Sequence, residues 1–256
     1  MKAMRFAKPL EYRVEIPGEE FVQGVALEGT LSVVNRDKTA KKNLTLEIGL
    51  AYGDFKEMKD SGASALVVLE RIVLAKGIGL KPEEEKRVEF RMEISPTAPI
   101  QSKTGGPFLL YGGDLGSPQT RGHVDLPIQL SQSFAGFLTT LENHFAFETK
   151  SSQSVEGVIE ARLKPPGSYP TLEELTVTFK PGAKDIEVEF HGKSRGLRRS
   201  EEGGLTPKQS KTKKKVPNTQ FVMHNSMPNR ALYRELISDM LPEIAVRVEK
   251  KASRGF

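Results

Sequence analysis

The 256-residue sequence predicts an all-β protein: two lobes of antiparallel β-sandwich, with a short central helix and a C-terminal helix. Three observations carry that prediction. Apolar and polar residues alternate with period two in run after run, joined by short polar turns, as half-buried antiparallel strands require. Thr171 to Leu197 holds two such runs, Leu175/Val177/Phe179 and Ile186/Val188/Phe190, around Pro181-Gly182. That pair favours a type II turn, since Pro pre-sets its φ and Gly tolerates positive φ. No dinucleotide or phosphate-loop glycine pattern opens a helix, and Lys76-Gly77-Ile78-Gly79 is only a Gly-containing turn.

Taken in order, Leu10, Tyr12, Val14 and Ile16 form the first alternating run and stop at Pro17-Gly18. Val25, Leu27, Leu31 and Val33 form the next, with Gly29 in phase where a neighbouring backbone can approach closely. Asn35 to Asn43 is a charged turn, and Leu44, Leu46, Ile48 and Leu50 follow as a strand. Asp54 to Ser64 is polar and breaks the pattern. Ala65 to Leu74 is apolar on both phases except Glu70 and Arg71, which fits a strand buried on both faces or a short buried helix; its β-branched residues favour the strand. Val88, Phe90, Met92 and Ile94 alternate, and Pro96 and Pro99 forbid continuing that strand. Gln101 to Arg121 is Gly-, Pro- and Ser-rich and reads as a loop interrupted by Phe108–Tyr111; Val124 to Leu130 alternates again. Phe134, Phe137, Leu138 and Leu141 then switch to helical spacing, with Ser131 or Ser133 as cap. Strands at Phe145–Thr149 and Val155–Leu163 lead into the hairpin.

The formal charge is +5, yet the window from Lys193 to Lys215 alone carries +7, which leaves −2 for the rest. The basic character is therefore local. No cysteine is present, which excludes a disulfide scaffold and a thiolate metal site. The first twenty residues lack the apolar core of a signal peptide, and no run approaches the ~20 apolar residues of a membrane helix. A soluble, cytoplasmic protein without a transmembrane segment is the expectation.

Three stretches form a pattern in their order and spacing. The first is FVQGVALEGTLSV with LKPEEEKRVEFRMEISPTAPIQS, a Gly-containing early strand and a long strand ending in two spaced prolines and a Ser. The second is HVDLPIQL followed by FAGFLTTLENHFAFET; the third is LEELTVTFKPGAKDIEVEFHGKSRGL with its Arg-Gly-Leu exit. Together they span residues 10–197 and resemble the bacterial sporulation-control proteins, a family with an arrestin-like fold. The resemblance implies two β-sandwich lobes, no known catalytic centre, and a cytoplasmic role in developmental or stress regulation through protein partners.

Candidate chemistry in the residues is thin. Of the four histidines (His123, His144, His191, His224), His123 is in phase with Asp125, a geometry that can orient a general base, but no motif ties a nucleophile to them. His191 and Glu189 share the polar face of the hairpin, without an identifiable third metal ligand. Glu83-Glu84-Glu85 reads as a solvated turn, without calcium-loop spacing. No enzyme activity, cofactor or metal is expected.

The basic tract is the strongest functional candidate. Its composition predicts a flexible tether over residues 198–225, too poor in apolar groups to order itself. Arg198, Arg199, Lys211, Lys213, Lys214 and Lys215 are the candidate partner-binding residues, for nucleic acid, an anionic membrane surface or an acidic partner. The tract lacks the interleaved aromatics of single-strand binders. Beyond it, 226–256 reads as a helix and tail, with Ser226 as cap and Pro228 in the first turn. Leu232, Leu236 and Met240, flanked by Tyr233, Ile237 and Leu241, give it an apolar stripe for the protein's own core or for self-association, until Pro242 kinks or ends it. The expected organisation is thus a sandwich over 1–130, a β lobe with a short helix over 131–197, the tether, and the terminal helix. The expected function is a non-enzymatic adaptor or regulator docking protein partners, with polyanion binding through 193–215 as the alternative.

Overall fold

The computed structural model describes residues 1–155, 157–199, 205–223 and 227–245, with backbone alone for 155, 195–199 and 205–208. The chain divides into two compact units, Met1–Gln129 and Leu130–Phe256.

The first unit runs β1 (Lys2–Ala7), β2 (Leu10–Glu15), β3 (Phe21–Val22), β4 (Ala26–Asn35), β5 (Lys41–Asp54), α1 (Phe55–Ser61), a 3-10 turn at Gly62–Ala65, β6 (Val67–Leu80), β7 (Glu85–Glu93), β8 (Gly105–Gly112), β9 (Gly122–Asp125) and β10 (Ile128–Gln129). Two four-stranded antiparallel sheets form a sandwich, in the orders β1-β2-β4-β7 and β6-β5-β8-β9, and β3 pairs in parallel with β10. Leu31, Val33 and Met92 from one sheet and Leu46, Ile48 and Leu109 from the other are buried. The close approach expected at Gly29 is present: a Cβ there would lie 2.6 Å from the Glu15 carbonyl oxygen and 2.7 Å from Phe90 Cζ.

Three expectations for this unit are corrected. Phe108–Tyr111 is not a loop interruption but part of β8, a central strand whose eight residues are all buried. The flanking glycines and Pro107 disguised it. The Pro107 carbonyl accepts from Leu126 N at 3.0 Å, so its missing N–H faces the β9 side and costs the β5 ladder nothing. Asp54–Ser64 is not a simple break: Asp54 caps α1 by accepting from Lys56 N (2.8 Å) and Glu57 N (3.2 Å). Phe55, Met58 and Ala63 then cover a small cluster of Ala51, Leu66, Phe108, Leu110 and Leu115. Finally, β6 is a strand, as its β-branched residues predict, but it is not buried on both faces; it is the edge of its sheet and largely exposed.

The second unit runs α2 (Gln132–Phe145), β11 (Glu148–Val155), β12 (Val158–Lys164), β13 (Leu172–Pro181), β14 (Asp185–Arg199), β15 (Leu205–Pro217), α3 (Asn218–Phe221) and α4 (Arg230–Ile244). One antiparallel sheet in the order β11-β12-β13-β14-β15 supplies Ile159, Leu163, Val177, Phe179, Val188, Phe190 and Val216 to a core that helices, rather than a second sheet, complete. The predicted hairpin is β13–β14, with Phe179 opposite Val188 and Val177 opposite Phe190. Its turn differs from expectation. Pro181 still pairs with Ile186, Gly182 N donates to Asp185 O at 2.7 Å, and Gly182 does not adopt positive φ. Glycine is required for space instead, since a Cβ would meet the Asp185 carbonyl at 2.9 Å.

The tether expectation is corrected too, because residues 205–217 form β15, paired with β14 from Asp185↔Pro217 onward. Composition misled: Val216 and Thr212 are buried, and the lysines find carboxylates on other elements. Ser226 lies outside the described residues; Asn229 caps α4, its side chain accepting from Leu232 N at 3.3 Å. Pro228 precedes the helix, and α4 continues through Pro242 to Ile244. The apolar stripe of α4 docks on the protein's own core, the first of the two expectations for it, with Tyr233, Leu236, Ile237, Met240, Leu241 and Ile244 all buried in this unit.

Candidate functional site

The predicted patch on β15 is a built ion-pair network. Antiparallel pairing sets Lys213 opposite Glu189 and Lys215 opposite Glu187 on the sheet's open face. Glu189 is 1% exposed, and its carboxylate is shared by Lys211 Nζ, Lys180 Nζ (3.0 Å) and His191 Nε2 (2.7 Å). Lys213 and Lys180 reach Glu187 at 3.6 and 3.5 Å, and Lys214 reaches Asp239 of α4 at 2.7 Å. Burial opposes ionisation of Glu187, but Lys213, Lys180 and Lys215 hold its carboxyl below the ordinary range. His191 and Glu189 do share a face, as expected, and Lys180 and Lys211 engage the Glu189 carboxylate beside the imidazole. The lysines nearest the sheet are therefore partnered by acidic side chains, while Lys211 and Lys213 stay more than half exposed. The backbone of Arg198 and Arg199 pairs with Thr206 and Leu205; their side chains lie outside the described residues, as does His224.

His123 sits on β9 with its ring centroid 6.0 Å from that of Phe108, edge to face. Partial desolvation, with Arg5 and Arg121 nearby, holds its pKa below the ordinary 6.5 against the pull of Asp125. These neighbours hold and desolvate an imidazole; none is a nucleophile. Below pH 6.5 the unfolded chain takes up the proton first, so the stabilisation from neutral His123 is full above 6.5 and is lost as pH falls through the lowered folded value. Urea midpoints measured across this window should rise with pH, and His123→Gln should flatten that part of the profile. An unchanged profile in the variant would remove His123 from the account.

The surface that sequence reasoning missed is the free edge of β6. Each exposed edge strand offers unpaired N–H and C=O groups, and proteins guard such edges with charge or brevity. β15 carries lysines, β7 alternates Glu85, Arg87, Glu89, Arg91 and Glu93, and β9 has only four residues. By contrast β6 is 14 residues long and, among the described residues, pairs only with β5, with register shifts along that pairing. Val67, Leu69 and Val73 are 64%, 49% and 42% exposed, with Glu70 and Arg71 the only charges between Val67 and Leu74. Arg71 is engaged inward, with Glu47 (2.6 Å) and Asp114 (3.3 Å). The signal was present as the β-branched run itself, but alternation cannot tell a strand covered on two faces from one awaiting a cover.

A β-sandwich unit, followed along the chain by a unit of one sheet closed by helices, defines the class: an all-β protein of arrestin-like fold. Among solved structures the chain is similar to the sporulation control protein Spo0M from Bacillus subtilis, with TM-score 0.66 and 13% identity over 91% of this chain and 98% of that one. The resemblance seen in the sequence is thus present in the fold. Beta-glucosidase from Listeria innocua aligns with 46% of this chain and 16% of its own at TM-score 0.29 and 16% identity. The alkylpurine DNA glycosylase AlkC of Pseudomonas fluorescens aligns with 47% and 30% at TM-score 0.31 and 8% identity. Such partial alignments carry no weight. No family model and no curated protein matches the sequence. Among the described residues no helix is long and apolar enough to cross a membrane.

Proposed function

We propose that the chain is a non-enzymatic, cytoplasmic regulator of the sporulation-control type that works as an adaptor, docking an extended segment of a protein partner along the open edge of β6. The exposed, apolar, weakly charged edge of this 14-residue strand carries the reading. Main-chain hydrogen bonds to an added strand supply affinity, and the exposed Val67, Leu69 and Val73 select apolar residues at alternate positions of the partner. The likeness to Spo0M supports the regulatory class.

The test pairs capture with hydrogen exchange. Full-length protein and the variant Leu69→Lys/Val73→Lys are immobilised and exposed to extract of the source cells. Both positions are exposed, so the variant should fold with a change within about 0.5 kcal/mol per site. A partner held by the wild type should be lost from the variant, and in the complex the backbone amides of 67–74 should gain protection. Retention that ignores the variant, or protection elsewhere, would sink the edge reading.

A further inference from the structure

Lysines that guard an edge against apolar strands can also select the strand that is admitted. β15 is the last strand of its sheet and, among the described residues, pairs only with β14. From Lys193↔Gln209 to Asp185↔Pro217 that pairing runs without a register shift. The edge from Gln209 to Val216 is therefore regular, with the even row of N–H and C=O groups that strand addition uses. Alternation divides its side chains. Thr212 and Val216 are buried, and Lys214, on the same phase, is held by Asp239 of α4. Lys211, Lys213 and Lys215 take the other phase, about 6.7 Å apart, on the sheet's open face. These lysines are partnered but not neutralised. Lys180, Lys211 and Lys213 share the carboxylates of Glu187 and Glu189, and Lys215 stands across the ladder from Glu187. Four ammonium groups thus meet two carboxylates. Lys211 and Lys213 keep 56% and 61% of their side-chain surface exposed, and each ammonium has three protons to donate.

We infer that the edge of β15 admits an extended acidic segment of a protein partner as a sixth strand, with Asp or Glu at alternate positions facing Lys211, Lys213 and Lys215. Carboxylates at alternate positions of a strand repeat at the same spacing as the lysines, and opposite charges across a strand pair stabilise it. An apolar strand would instead strip water from the same ammonium groups. The intervening residues of the segment fall on the side of Thr212 and Lys214, where Glu243 and Asp239 of α4 already stand, so they are neutral or basic. The occupant is therefore an alternating strand and not a uniformly acidic tail. A nucleic acid duplex fits worse, because the cationic strip is one strand wide. Immediately inside it stand Glu187 and Glu189, whose carboxylates oppose the phosphates of a wider ligand. The inference concerns a different strand from the β6 reading and does not rest on it.

Deleting β15 would remove Val216 from the core, so point substitutions in the full chain are required. The probe is a short labelled peptide in which Glu and Thr alternate. Fluorescence anisotropy at low salt should show saturable binding that weakens as salt screens the lysines. In hydrogen exchange, amides between 209 and 216 should gain protection in the complex. A peptide of the same composition with its glutamates in one block should bind more weakly, because its charges no longer match the comb. Lys213→Gln/Lys215→Gln should weaken binding of the alternating peptide about fivefold, the loss of two cross-strand charge pairs. A thermal melt checks folding; if that pair of substitutions prevents it, Lys215→Gln alone should weaken binding about twofold. Absence of binding to the alternating peptide at low salt would overturn the inference. So would a lysine variant that binds like the wild type, protection confined to other strands, or a blocked peptide that binds as tightly. Retention of a labelled DNA duplex without binding of the peptide would overturn it as well.

Discussion

Phe137→Ala should lower the unfolding free energy of the second unit by about 3–5 kcal/mol, the loss expected for deleting a fully buried aromatic ring. Phe137 lies on α2 with no exposed surface, and its ring meets those of Phe179 (5.2 Å), Phe190 (6.2 Å), Phe221 (6.1 Å) and Tyr233 (5.3 Å). Those four rings come from β13, β14, α3 and α4, so one side chain touches nearly every element that closes this core. Collapse of neighbours into the space is restricted, because each is itself wedged: Tyr233 Oη donates to the Phe221 carbonyl at 2.6 Å. Urea unfolding should show a lower midpoint with the slope preserved, since the surface exposed on unfolding barely changes. Phe145→Ala, at a partly buried position on the same helix, should cost markedly less. A loss below about 1 kcal/mol at Phe137 would show that the aromatic cluster does not organise the unit.

Asn35→Ala should destabilise the first unit by about 2–3 kcal/mol, far more than the few atoms removed would suggest. Asn35 ends β4 and is completely buried. Its Nδ2 donates to the carbonyls of Thr39 (2.9 Å), Leu80 (3.3 Å) and Lys81 (3.1 Å), and its Oδ1 accepts from Asp37 N (3.0 Å). One amide therefore ties the β4–β5 turn to the end of β6. Alanine leaves backbone groups without partners in a place that water reaches poorly, and the cost of an unmade bond exceeds the net worth of a made one. Asn35→Asp replaces the donating amide with oxygen and should be at least as harmful. Thermal unfolding of the three proteins decides it; an alanine variant as stable as the wild type would mean that water fills the site.

Most of the fold was legible in the sequence, and the misses share a cause. Alternation found β2, β4, β5, β7, β13 and β14, and the switch to helical spacing found α2, because in each of these large apolar residues recur at the period of the element, with polar or small residues between. It missed β8, whose residues are all buried and so show no alternation, and it misjudged β6, whose similar apolar run sits at an edge. Composition judged 205–217 unable to order itself, since Lys211, Lys213 and Lys215 look like solvated charge when Glu187 and Glu189 are not yet known to stand across the ladder. The candidate site suffered in the same way. Which lysines are free and which are paired depends on pairing between strands, and a single chain of letters does not display that.

The burial of α4 sets an order of events during synthesis. Everything that closes the first unit is available once Gln129 has been made, so that unit can fold while the remainder is still being translated. The second unit has no such freedom. Phe137 and Phe179 wait for Tyr233, and the stripe from Leu236 to Ile244 is among the last material delivered to a core whose first members precede it by about a hundred residues. Until then only α2 and the short α3 cover the apolar face of its sheet. A nascent chain halted before α4 would present a finished sandwich followed by a half-covered sheet, the kind of surface that chaperones engage and that aggregates when they do not.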